Sequence, residues 1–358
     1  MLFIDPNNPD TWPVGRTQYE ADALAFCRAW QRGQPEFVLH TSGSTGTPKP
    51  ITLTREQMRA SAWLTGQTLG LQPGDASLVC LNIRYVAGVM MLVRGLELGL
   101  PMTVLEPASN PLYGFLPDMQ FAFTALVPLQ LQTILDEIAL KNRQEFLPML
   151  NGMKAILVGG AATSSGLEQA LQIISAPIYA TYGMTETVSH IALRRLNGPD
   201  RSAWFTALDG VQLGTDKRGC LNIMAAASRN SLVQTNDVVD MRDARQFRIL
   251  GRADLIINSG GVKIQPEPIE QIILTKLAES GLSVRLFVAG LPDERLGQRL
   301  TVISEQVSVN SEQWAAVQDA VRVQLGPYSV PRAWLTVPAF AETATGKVDR
   351  NQTMARLL

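Results

Sequence analysis

The sequence predicts an α/β protein whose long first part passes into a β-rich stretch and then into a small α+β module. Three observations carry this. Short apolar strand patterns alternate with helical periodicities between residues 77 and 180. From Trp204 to Leu250 the helical period vanishes and short strands are divided by Gly, Asp and Asn. After residue 251 the order is a Gly-rich segment, a helix, two strands and a helix. At 358 residues the chain has room for about two domains. The boundary is placed close to Gly251-Arg252-Ala253-Asp254, giving residues 1–251 and 252–358.

Phe37-Val-Leu is a buried-strand pattern that runs into a Gly/Ser/Thr loop, and Ile51-Thr-Leu-Thr is a second strand by β-branching and alternation. The loop therefore joins two strands. Thr54 and Gln57 have capping-box spacing, Met58, Ala62 and Leu69 recur at helical intervals, and Gly70 supplies a stop, which predicts a helix over 55–69. Beyond the turn Pro73-Gly74-Asp75, strands are predicted at 77–81, 102–105, 155–158 and 178–180, with helices near 86–98, 128–142 and 165–174. Leu221-Asn-Ile-Met and Leu232-Val-Gln-Thr are strands of the β-rich stretch. Pro266-Glu-Pro-Ile-Glu opens an amphipathic helix, followed by strands at 284–289 and 300–304 and a helix near 311–325.

Composition excludes several classes of function. Apolar residues make up 46% and charged residues 18%, with 31 basic against 32 acidic side chains, so neither disorder nor a broadly basic nucleic-acid surface is expected. Cys27, Cys80 and Cys220 are odd in number and far apart, which suggests neither a disulfide framework nor a cysteine zinc site. His40 and His190 are too few for a His-rich metal site. Val86 to Leu100 is the most apolar stretch, but Arg94 and Glu97 interrupt it and it falls short of the roughly 20 residues needed to span a bilayer. With prolines and an acid in place of a secretory signal at its start, the chain is expected in the reducing cytoplasm.

The chemistry concentrates in Thr41-Ser42-Gly43-Ser44-Thr45-Gly46-Thr47-Pro48-Lys49. Hydroxyls, two glycines and a lysine after a strand offer backbone N–H groups, O–H donors and one cation to an anion, phosphate above all. The spacing is not that of a P-loop NTPase, and a polar surface loop is the alternative. The segment matches the phosphate loop of the adenylate-forming acyl-CoA synthetases, which the chain also resembles in Tyr182-Gly-Met-Thr-Glu-Thr187, Thr235-Asn-Asp237, Gly251-Arg-Ala-Asp254 with Gly260-Gly-Val-Lys263, and Thr345-Gly-Lys347.

That resemblance implies a large ATP- and acid-binding α/β domain with mixed sheets, shortened at its N-terminus because the phosphate loop follows only 40 residues, and a small mobile C-terminal domain. It implies ATP, Mg²⁺ and CoA as partners of a small carboxylic acid. Residues 41–46 and Lys49 would hold phosphates. Thr185 would meet the α-phosphate and Glu186 would bind Mg²⁺. Gly159, Gly160, Ala161 and Tyr182 would meet adenine, and Asp237 and Arg252 the ribose. Lys347 would serve the adenylation transition state, Asp254 would be the hinge, and Gly260 and Gly261 would face CoA, although that Gly pair also fits a hairpin turn.

Within the family the chain looks most like short bacterial o-succinylbenzoate:CoA ligases of menaquinone synthesis. Such an acid keeps one carboxylate unreacted, and Arg94, costly in an apolar helix if unpaired, is the cation expected to hold it. The alternative for Arg94 is a side chain that reaches solvent. Tyr85 stands where many relatives have an acid-pocket histidine, and Ser189 and His190 are expected in the acid pocket, the alternative for His190 being a plain packing role. A ligase for another acid, an enzyme that loads a carrier-protein thiol, and a non-catalytic nucleotide-binding module remain alternative functions. No G-x-G-x-x-G between strand and helix supports a dinucleotide dehydrogenase.

Overall fold

Strands buried along their whole length form the centre of the molecule. In the computed structural model, which describes residues 1–40, 50–116, 119–343 and 348–357, Ser77–Val79, Met102–Val104, Phe123–Leu126 and Ala155–Val158 are buried at every position. They run parallel with Ile178–Gly183, as strands covered on both faces do. Leu2–Ile4 closes the outer edge antiparallel to Met102–Val104. On the other side the same sheet continues antiparallel through His190–Arg195, Phe205–Ala207, Gln246–Arg252, Val233–Met241, Cys220–Met224 and Gln212–Thr215, making one 12-stranded mixed sheet. The β-rich stretch thus extends the central sheet.

Glu36–His40 and Pro50–Thr54 form a separate antiparallel pair in which His40 partners Pro50, so residues 41–49 do join two strands. The helix Arg55–Leu69 follows at once. The Thr54 side chain accepts from the Gln57 N–H, the Gln57 side chain accepts from the Thr54 N–H, and Gly70 closes the helix at φ 65°, ψ 30°. The next helix, Val86–Leu98, packs against it and has apolar side chains on nearly every face. Its two charges are treated differently. Glu97 accepts from Trp30 Nε1 at 2.8 Å and Arg59 Nε at 2.8 Å, with Arg55 at 3.5 Å, whereas Arg94 turns elsewhere.

Several elements differ from expectation. Pro128–Leu140 ends two residues early, and the helix predicted over 165–174 is α only over Ser165–Ala170, with a 3₁₀ turn at Leu171–Ile173 tightening its end. The helix Gln18–Gln31, capped by Thr17 and burying Ala23, Leu24, Cys27 and Trp30, was not among the predicted elements. Neither were the strands Leu2–Ile4, Phe123–Leu126, His190–Arg195 and Ala333–Val337. All three thiols are free and buried, and burial pushes those of Cys27 and Cys80 up to about 12.

From Ile257 onward a five-stranded sheet forms from Val262–Ile264, Ile257–Ser259, Gly297–Glu305 and Leu286–Asp293, with Ala333–Val337 parallel to Gly297–Glu305. The helices Pro266–Glu279 and Ser311–Leu325 cover it over a core of Ile269, Ile273, Val302, Val317 and Val321. Among the described residues no helix is long and apolar enough to cross a membrane.

Gly88 shows how tightly the start of the helix Val86–Leu98 is held. A Cβ there would meet the Asn82 carbonyl oxygen at 2.4 Å and the Ile83 nitrogen at 2.7 Å, and backbone cannot swing aside. Gly88→Ala is expected to lower unfolding stability by about 1–3 kcal/mol. Gly166→Ala, whose Cβ would meet only Ser164 Oγ at 4.0 Å, is expected to be neutral or slightly stabilising. Equal melting temperatures for the two variants would contradict this packing.

Candidate functional site

The site begins where Ile178–Gly183 ends. Thr187 accepts from the Met184 N–H at 3.0 Å and stabilises the 3₁₀ turn Thr185–Thr187, leaving Glu186 exposed and Thr185 buried. The chain then reverses at Val188, which has φ 66° and ψ −51° and is fully buried, while the Ser189 N–H donates to the Thr187 carbonyl at 2.7 Å. This is a γ-turn with positive φ, strained for a β-branched residue and costing about 1–3 kcal/mol. It separates Thr185 and Glu186 from Ser189 and His190.

One set of expected nucleotide residues comes together. A Cβ on Gly159 would run into Thr181 Oγ1 and oblige that hydroxyl to turn away, and Gly160 has φ +87° and is exposed beside Ala161. The Tyr182 hydroxyl donates to Asp237 Oδ2 at 2.6 Å, and Arg252 Nη1 donates to Asp237 Oδ1 at 3.0 Å. The same guanidinium forks onto Asp254 at 2.9 and 2.8 Å, which holds the Asp254 carboxyl below its ordinary range. Tyr182, Asp237, Arg252 and Asp254 are thus one chain of contacts. The Tyr182 ring is only 7% exposed and packs against Phe205 and Phe247. It offers its polar end to Asp237 more than a face for stacking, and burial followed by Asp237 pushes its pKa up.

Around the expected hinge, the Arg252 N–H donates to Glu267 Oε1 at 3.0 Å. Glu267 Oε2 and Gln265 Oε1 are buried without a hydrogen-bond partner among the described residues, and both crowd Gly251, whose missing Cβ would meet them at 2.5 and 2.6 Å. Burial raises the Glu267 carboxyl. Gly260 and Gly261 form the two-residue turn between Ile257–Ser259 and Val262–Ile264, with φ +59° and +85°, so a hairpin requires them. Arg350 forks onto Glu270 with two bonds of 2.8 Å, fastening the chain just after Lys347 to the helix Pro266–Glu279. Thr41, Ser42, Gly43, Ser44, Thr45, Gly46, Lys49 and Lys347 themselves lie outside the described residues.

The expected acid pocket converges on Arg94. Its side chain is out of solvent, with the residue 3% exposed, and among the described residues no carboxylate pairs with it. Nε donates to Thr65 Oγ1 at 3.2 Å, Nη2 to Ser189 Oγ at 2.5 Å, and Nη1 reaches only Met91 Sδ at 3.8 Å. Burial lowers its pKa to about 10, so it stays charged at neutral pH. His190 touches both hydroxyls, with Nε2 3.3 Å from Thr65 Oγ1 and Nδ1 3.2 Å from Ser189 Oγ. Tyr85 is the residue just before the helix Val86–Leu98 and is half-buried. Sequence reading overlooked Thr65; its only trace was a hydroxyl one helical turn after Ser61 on a buried face.

The family model described as "AMP-binding enzyme" matches residues 6–207, more than half of the chain, and the chain belongs to that family, in the acid:CoA ligase superfamily. A 2-succinylbenzoate–CoA ligase from Salmonella typhimurium strain LT2 is 27% identical over 93% of this chain and 71% of its own length. An acyl-CoA synthetase (AMP-forming)/AMP-acid ligase II-like protein from Dyadobacter fermentans, of known structure, is 42% identical over 99% of both chains with a TM-score of 0.66. The o-succinylbenzoate CoA synthetase from Bacillus subtilis, solved with its acyl-adenylate intermediate, shares the fold with a TM-score of 0.72 at 20% identity, over 88% of this chain and 68% of that one.

The crowded oxygens at Gly251 give a pH-dependent outcome. A carboxyl whose folded pKa is raised contributes stability below its unfolded value and loses it as pH rises through the folded value. In Glu267→Gln the amide oxygen can still accept from Arg252 N–H while its N–H₂ donates toward Gln265 Oε1. The variant is therefore expected to match the parent near pH 5 and to exceed it near pH 8 by about 1 kcal/mol. Melting curves whose difference stays constant with pH would contradict this.

Proposed function

We propose that the chain activates an aromatic dicarboxylic acid with ATP and transfers it to CoA, with 2-succinylbenzoate as the first acid to test. The observation that carries this reading is Arg94, a charged guanidinium held away from water and from every described carboxylate. A second carboxylate on the substrate would supply the missing counter-charge. The ligases named for this acid among the relatives support the choice of substrate.

Joining a carboxylate to the α-phosphate brings two anions together, so the site must neutralise charge. In this reading residues 41–49 hold the β and γ phosphates and Thr185 reaches the α-phosphate. Glu186 would hold Mg²⁺. A lone exposed carboxylate suits that ion, which keeps several waters and relies on substrate oxygens, and no group of three acidic, His or Cys side chains gathers elsewhere among the described residues. When bound, that ion would screen charge on the phosphates. Gly159, Gly160, Ala161 and Tyr182 border the adenine, while Asp237, with Arg252 beside it, meets the ribose hydroxyls.

A carboxylate oxygen attacks the α-phosphorus and the bond to diphosphate breaks, with Lys347 bridging the two oxygens as charge shifts. The thiolate of CoA then attacks the acyl carbon, the carbon–oxygen bond to phosphate breaks, and AMP leaves. Residues 252–358 would rotate about Asp254 between the steps, withdrawing Lys347 and bringing Gly260 and Gly261 toward CoA. Tyr85, Ser189 and His190 would wall the acid pocket.

Acid-dependent diphosphate release should occur with 2-succinylbenzoate and not with benzoate, fatty acids or amino acids, and adding CoA should yield AMP and a thioester. Activity confined to another acid would remove the substrate from this reading, and silence with every acid would remove the enzyme. Lys347→Ala is expected to lower adenylation at least about 100-fold with ATP binding retained. Arg94→Met is expected to raise the KM for the acid by about 10- to 100-fold and leave that for ATP unchanged.

A further inference from the structure

We infer that Thr65 and His190 are positioning residues for Arg94. They belong to a directed set of hydrogen bonds that commits the Nε edge of the guanidinium to the protein and leaves its outer donors for the second carboxylate of a dicarboxylic acid. The inference rests on the reading of Arg94 given above.

Donor and acceptor accounting fixes the direction of each bond. Thr65 Oγ1 lies 2.9 Å from the Ser61 carbonyl, which can only accept, so the single hydroxyl proton is spent there. The remaining lone pairs of that oxygen face Arg94 Nε at 3.2 Å and His190 Nε2 at 3.3 Å. Arginine always donates, and His190 must then present Nε2–H as well.

The other ring nitrogen, Nδ1, lies 3.2 Å from Ser189 Oγ. Burial, and then the charge of Arg94, disfavour a second proton on this ring. Nδ1 is therefore an acceptor and Ser189 donates to it. The lone pairs of Ser189 Oγ remain for Arg94 Nη2 at 2.5 Å, and the circuit closes where it began.

Each bond of this circuit runs from a donor to an acceptor, Arg94 Nη1 is left with only Met91 Sδ at 3.8 Å, and the circuit carries one net positive charge. Arg94 is the charged group facing His190 from the helix Val86–Leu98. Asp209 borders the adjoining cavity of about 180 Å³ that His190 also lines, but it is held by Arg245 at 2.6 Å. The circuit has thus no internal counter-ion, and a monocarboxylic acid leaves the cation uncompensated. Thr65 decides which edge of the guanidinium is used. His190 keeps Thr65 Oγ1 and Ser189 Oγ oriented as acceptors toward Arg94 without adding a second charge.

Two measurements test this. The first compares kcat/KM for 2-succinylbenzoate with those for 3-benzoylpropionate and 2-butyrylbenzoate, each of which lacks one carboxylate. Thr65→Val should lower the preference for the diacid at least about 10-fold, the loss of one charge-assisted hydrogen bond, through KM for the acid and not for ATP, and Thr65→Ser should restore it. The second reads the imidazole ¹⁵N shifts. With two histidines in the chain, His190→Gln assigns the signals. His190 should be a single neutral Nε2–H tautomer at pH 6, where an ordinary imidazole is largely charged. An unchanged diacid preference in Thr65→Val, an Nδ1–H tautomer, or an imidazolium at pH 6 would each overturn the inference. If Arg94→Met abolishes the preference while Thr65→Val keeps it, the positioning claim falls and the carboxylate site stands. If Arg94→Met also keeps it, the site reading falls too. Should Thr65→Val not fold, Thr65→Ser and the ¹⁵N spectrum of the parent decide.

Discussion

A guanidinium removed from water and left without a carboxylate partner is the constraint on which the site depends. Removing such a charge from water costs several kcal/mol unless something answers it. An acid was available within the same helix, since Glu97 lies three residues after Arg94. Yet Glu97 is taken by Trp30, Arg59 and Arg55 on another face. The protein thus spends its own carboxylate elsewhere and answers Arg94 with two hydroxyls, both held by a neutral imidazole. Hydroxyls orient the cation without neutralising it, which is what a pocket for an anionic ligand requires.

The nucleotide residues are tied to this pocket through one short stretch of chain. Strand Ile178–Gly183 delivers Tyr182 to Asp237, the turn Thr185–Thr187 exposes Glu186, and the strained reversal at Val188 sends Ser189 and His190 to Arg94. A more relaxed turn would lengthen the link between the residues expected to handle phosphate and those expected to handle the acid. Strain held in place by a fully buried side chain keeps the link short. Toward the small module, Asp237 continues through Arg252 to Asp254, so the carboxylate assigned to the ribose is bonded to the segment assigned as hinge.

Much of this was legible in the sequence where the signal was local. The helices 55–69, 86–98 and 311–325 coincide with their predicted limits because a capping box, a closing glycine or a long apolar period marks each of them. Phe123–Leu126 was missed although the equally short Met102–Val104 and Ala155–Val158 were read, because four residues leave little pattern to separate from the apolar residues around them. Arg94 was visible as a charge in an apolar helix. Thr65 was not, because its partners lie 29 and 125 residues away, and no spacing rule reaches that far. Tyr182 was legible as a motif residue, but its burial against Phe205 and Phe247 comes from the antiparallel half of the sheet, which the sequence read only as a β-rich stretch. The phosphate loop and Lys347 rest on motif resemblance alone.

The central claim is that Arg94 awaits a carboxylate brought by the substrate. Its most direct test is the affinity of the parent chain for a non-hydrolysable acyl-adenylate analogue that carries the second carboxylate, measured by calorimetry against the same analogue with a carboxamide in its place. The account predicts tighter binding of the carboxylate by about 10- to 100-fold, the worth of one buried charge-assisted pair. Equal affinities would mean that the buried cation serves the fold alone, and the proposed choice of acid would fall with that result.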